Sequence, residues 1–84
     1  SISKSKNELT PDIDVDAILD AIKKKYANEK ITDIDGVKID FKESWVHLRK
    51  SNTEPIIRII AEAHTMEEAE ELSSQIKNVI KSLS

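Results

Sequence analysis

Residues 49–55, Arg-Lys-Ser-Asn-Thr-Glu-Pro, bring a guanidinium, two hydroxyls and a carboxamide close together in the chain. A guanidinium offers a planar fork of donors that matches two oxygens of a phosphate, and Ser and Thr add hydroxyl donors. A turn in such a segment also aims successive backbone amides at one point, forming a nest for an anion. The chemistry available is therefore capture of a phosphomonoester. Ser, Asn, Thr and Pro are equally the residues of an ordinary connection between strands, so residue type alone leaves that plainer reading open.

The scaffold around this segment is small. The chain has 84 residues, no cysteine, one glycine, two prolines and a formal net charge of −3. That length makes one domain, which buries only about 60–65% of its unfolded surface. Without cysteine there is no disulfide framework, thiolate metal site or cysteine nucleophile, and a reducing, cytoplasmic setting fits. No stretch approaches the ~20 apolar residues of a membrane span. The acidic balance argues against a general nucleic-acid binder.

Residues 1–9 are polar, rich in Ser and Lys, and read as a tail or interdomain linker, leaving 10–84 as the folded domain. Asp14 is a helix N-cap, and Val15, Ile18, Leu19, Ile22 and Tyr26 recur at helical spacing, which predicts a helix over 14–27. From Ile31 the period becomes two. A strand over 31–34, a two-residue Asp35-Gly36 hairpin turn and a strand carrying Val37, Ile39 and Phe41 follow. Glu43-Ser44 turns the chain into Trp45–Arg49, residues 50–55 are a loop, and Ile56–Ala63 is the last strand. Thr65 and Glu68 form a capping box before a helix over 66–82. The expected architecture is α+β: a four-stranded antiparallel meander in the order α-β-β-β-β-α, both helices on one face and the other face partly open.

Other residues carry less chemistry. Asp12, Asp14 and Asp16 start like a calcium loop, but Ala17 and Lys23 stand where Gly and Glu are needed, so a capped helix start explains them. His47 shares a strand face with Arg49 and lies where it could approach an anion. The plainer reading is a solvated histidine. His64 is expected at the surface, Trp45 as packing in the core or at a domain interface, and Lys23-Lys24-Lys25 as a wet helix end.

Asp35-Gly36, Trp45, Arg49, Ser51-Asn52-Thr53-Glu54-Pro55 and Arg58 together resemble the C-terminal domain of the α-D-phosphohexomutases, over about residues 8–82. That superfamily includes phosphoglucomutase, phosphomannomutase and phosphoglucosamine mutase. The resemblance implies a TBP-like fold and the fourth domain of an enzyme that moves a phosphoryl group between O1 and O6 of a hexose. A phosphoserine and Mg²⁺ in other domains would do the chemistry. This domain would close over the cleft and hold the phosphate that does not react. By position, Arg49, Ser51, Asn52 and Thr53 would bind that phosphate, while Lys50 is the variable position. Glu54 and Pro55 would shape the turn, and Arg58 would support it through an ion pair. The nucleophile loop, the metal loop and the sugar-discriminating segment are absent, so no catalytic residue, metal ligand or cofactor is expected on this chain. Its expected partners are the hexose phosphate and the remaining domains. Ser-Asn-Thr-Glu-Pro in place of Gly-Thr-Glu-Pro leans toward the phosphomannomutase and phosphoglucomutase types. A phosphoglucosamine mutase domain, or a free-standing interaction module using the open sheet face, is the alternative.

Overall fold

The structure is a computed structural model that describes residues 1–34 and 36–83. Asp14 starts helix α1 (Val15–Lys25): its carboxylate accepts from the Ala17 amide at 3.2 Å, meeting one of the unpaired donors of the first turn. Tyr26 caps the other end, so the helix stops at Lys25, two residues short of the limit expected from sequence. Helix α2 (Met66–Leu83) starts at Thr65, whose hydroxyl accepts from the Glu68 amide at 3.1 Å. The reciprocal bond of a full capping box is not formed among the described residues.

Strands β2 (Lys30–Thr32), β3 (Val37–Asp40), β4 (Trp45–Lys50) and β5 (Ile56–Glu62) make the expected antiparallel meander. A fifth strand, β1 (Ile2–Glu8), lies along the free edge of β5, so the sheet order is β1-β5-β4-β3-β2. The segment expected as a tail is thus part of the sheet. Its inward positions are Ser3, Ser5 and Asn7, which leave no apolar alternation to read. Ser5 instead meets buried Ser73 of α2, with 2.9 Å between the hydroxyls. Lys4 and Lys6 face outward, as suits an edge strand that must not recruit another chain.

Both helices pack on one face. Ile18, Leu19 and Ile22 of α1 and Ile76 and Ile80 of α2 join Val37, Ile39, Val46, Leu48, Ile57, Ile59 and Ala61 in a single apolar cluster. Fully burying each such side chain contributes about 1.5–3 kcal/mol. Tyr26 and Phe41 close one margin edge-to-face, with centroids 5.9 Å apart. Among the described residues no layer covers the opposite face of the sheet. The β2–β3 connection is longer than a two-residue turn, because β2 stops at Thr32 and β3 begins at Val37. Asp35, expected in that turn, lies outside the described residues. Gly36 has φ +108°, a conformation that L side chains rarely adopt.

Candidate functional site

The 50–55 loop is anchored at its base from three directions. The Ser51 amide donates to the Ile56 carbonyl at 3.2 Å, and the Leu9 amide, just past β1, donates to the Pro55 carbonyl at 2.7 Å. From α1, Asp16 holds the Lys50 ammonium at 3.0 and 3.1 Å. The tip, Asn52–Glu54, is exposed. Within it the Ser51 hydroxyl accepts from the amides of Thr53 and Glu54, each at 3.2 Å, and lies 3.3 Å from the Thr53 hydroxyl. A hydroxyl is the smallest acceptor able to gather two amides, so these donors already converge as an anion nest requires.

Arg49 ends β4 beside this loop, and its strand register sets it directly opposite Arg58 of β5. Both side chains are exposed and neither meets a carboxylate among the described residues. The ion pair expected for Arg58 is not formed among the described residues. Arg58 is a second guanidinium beside the first. Like charges placed directly opposite on adjacent strands repel, and among the described residues no carboxylate meets either of them. Arg49 and Asn52 also line an open cleft of about 480 Å³ between α1 and the ends of β3 and β4, shared with Asp16, Asp20, Lys23 and Lys50. Lys23 bridges Asp20 at 3.1 Å and Asp33 at 3.6 Å, and its hydrogen bond with Asp20 raises its pKa.

The remaining sequence candidates lie apart from this cluster. Trp45 is at the far end of β4, roughly 13 Å from Arg49 at ~3.3 Å per residue. There its indole donates to Glu62, and the Lys38 ammonium sits 5.0 Å from the ring centroid. His47 is half-buried on the same face as Arg49, two residues away. His64 is exposed, 3.7 Å from Glu43. Of the early aspartates, Asp14 caps α1 and Asp16 holds Lys50. The Thr10 hydroxyl lowers the pKa of Asp12. No group of three or more His, Asp or Glu able to hold a metal ion is assembled among the described residues.

Residues 6–79 match the model of the phosphoglucomutase/phosphomannomutase C-terminal domain. The chain belongs to that family. It is 42% identical over 77 residues to a probable phosphoglucosamine mutase of Pyrococcus horikoshii, covering 92% of this chain and 17% of the relative. It is 41% identical over 80 residues to a phosphoglucosamine/phosphogalactosamine mutase of Sulfurisphaera tokodaii, covering 93% and 18%. A phosphomannomutase of Methanocaldococcus jannaschii is 38% identical over 66 residues, covering 79% and 15%. The chain thus spans less than a fifth of the length of these curated relatives. No helix among the described residues is long and apolar enough to cross a membrane.

Proposed function

We propose that this domain binds the phosphate of a hexose phosphate, as the C-terminal part of a phosphohexomutase acting in the cytoplasm. The Arg49–Arg58 pair, which meets no carboxylate among the described residues, beside a loop with converging amides carries the reading. In it, Arg49 supplies a charged fork, Asn52 and Thr53 supply neutral donors, and Ser51 holds the loop amides together or hands them to the phosphate. Arg58 neutralises the same anion from β5. Relatives named for glucosamine, galactosamine and mannose phosphates share this domain, which supports a phosphate contact common to them rather than a choice of sugar.

Such a contact acts at a distance. Holding the unreacting end of a substrate fixes the orientation of the reacting end, and the binding energy appears in turnover as well as affinity. Phosphoryl transfer in this family would use Mg²⁺ held by other domains. The acidic side chains described above offer no fit for it, and no step is placed on this chain.

The test is an amide NMR titration of the 84-residue protein with inorganic phosphate. Amides of residues 49–58 should shift first, with a millimolar dissociation constant. Arg49→Ala should weaken binding about tenfold or more, as loss of a charge-assisted bond implies, with no change in melting temperature. In a mutase containing this domain, the same change should raise KM and lower kcat. Shifts confined to another surface, or equal binding by the variant, would overturn the assignment.

A further inference from the structure

The open sheet face is not uniformly charged. At the end that carries Trp45, Glu62 accepts from the indole across the strands, and Lys38 lies 3.6 Å from Asp40 along the same strand. At the loop end, the register lines up Lys6 of β1, Arg58 of β5 and Arg49 of β4 on three neighbouring strands. Among the described residues the carboxylate beside this row is Glu8, 4.0 Å from the Lys6 ammonium, with both side chains more than half exposed. A pair at that distance in water contributes little. Cations on three adjacent strands repel one another, whereas at the other end of the same face Lys38 has a carboxylate beside it in Asp40.

Resting on the reading above, we propose that Lys6 is a further ligand of the same phosphate, closing on it from β1 while Arg49 and the 50–55 loop hold it from the other side of Arg58. The geometry permits it. Adjacent strands lie about 4.8 Å apart, so Lys6 and Arg49 straddle Arg58 from backbones about 10 Å apart. The four-carbon lysine stem and the longer arginine both span half that distance with their charges to spare. A dianion over Arg58 then meets a fork on one side and a point charge on the other. The strand taken for a linker becomes part of the site. The loop and β1 are already joined through the Leu9–Pro55 hydrogen bond, so the two arms of the clamp move together.

The experiment compares Lys6→Gln, Lys6→Arg, Lys4→Gln and Arg49→Ala in the phosphate titration, with a well-dispersed amide spectrum required of each. Lys6→Gln should raise the dissociation constant about three- to tenfold, Lys6→Arg should restore it, and Lys4→Gln should change it less. The Lys6 side-chain Cε resonance should shift in step with the loop amides. An unchanged constant in Lys6→Gln, alongside weakened Arg49→Ala, overturns the Lys6 assignment and leaves the loop reading standing. Equal losses from Lys4→Gln and Lys6→Gln also overturn it, since a diffuse field would then account for both. Loop amides indifferent to phosphate in the unaltered protein overturn both readings together.

Discussion

An alanine at position 36 would place its methyl carbon 2.3 Å from the Leu48 carbonyl oxygen and 3.2 Å from Cγ of Arg49. Neither neighbour yields without consequence: the first is backbone in the centre of β4, the second the stem of the guanidinium. The φ of +108° adds the strain of a left-handed backbone to this crowding. Together, strain of 1–3 kcal/mol and overpacking of similar size predict that Gly36→Ala destabilises the fold by about 2–5 kcal/mol. Urea unfolding checks this, and a loss below about 1 kcal/mol would mean that the β2–β3 connection relaxes freely. In a variant that remains folded, the same methyl pushes Arg49 from its seat, so phosphate affinity should fall even at temperatures where the chain is native. Glycine here has one role in the turn and another beneath the arginine.

At the scale of elements, a side-chain bond between Ser5 and Ser73 joins β1 to the helix layer. Ser73 is 4% exposed, so deleting only its partner strands a hydroxyl away from water. Ser5→Ala is expected to cost about 1–2 kcal/mol, and the Ser5→Ala/Ser73→Ala double variant less than the sum of the single ones, with coupling near 1 kcal/mol. Additive losses in denaturant unfolding would show that the two hydroxyls do not depend on each other. The same pair explains why β1 was hidden in the sequence. Helices α1 and α2 and strands β3–β5 bury Ile, Val, Leu and Ala at their own periods, and that pattern survives in one dimension. A strand whose inward side is Ser, Ser and Asn has no such pattern, and only the edge of β5 makes it a strand. The site divides likewise. The residue types at 49–53 point to an anion as the ligand to propose before any fold is known. That Arg58 stands opposite Arg49, and Lys6 beyond it, depends on which residues face each other across strands, and register is a property of the assembled sheet.

Taken as a whole, the molecule is acidic, with a sequence pI near 5.3, yet its candidate ligand is an anion. The two are compatible because charges more than about 8–10 Å away are largely screened at physiological salt, so a phosphate at the loop responds to Arg49, Arg58 and Lys6 rather than to the net charge. This makes the pH dependence of binding specific. Arginine stays protonated throughout, while a phosphate monoester such as a hexose phosphate passes from monoanion to dianion near pH 6. Affinity should therefore rise between about pH 5.5 and about pH 7.5 as the ligand gains its second charge. A titration with a hexose phosphate, repeated at each pH across this interval, measures the gain. Affinity that falls as pH rises would mean that the dianion is not the bound species.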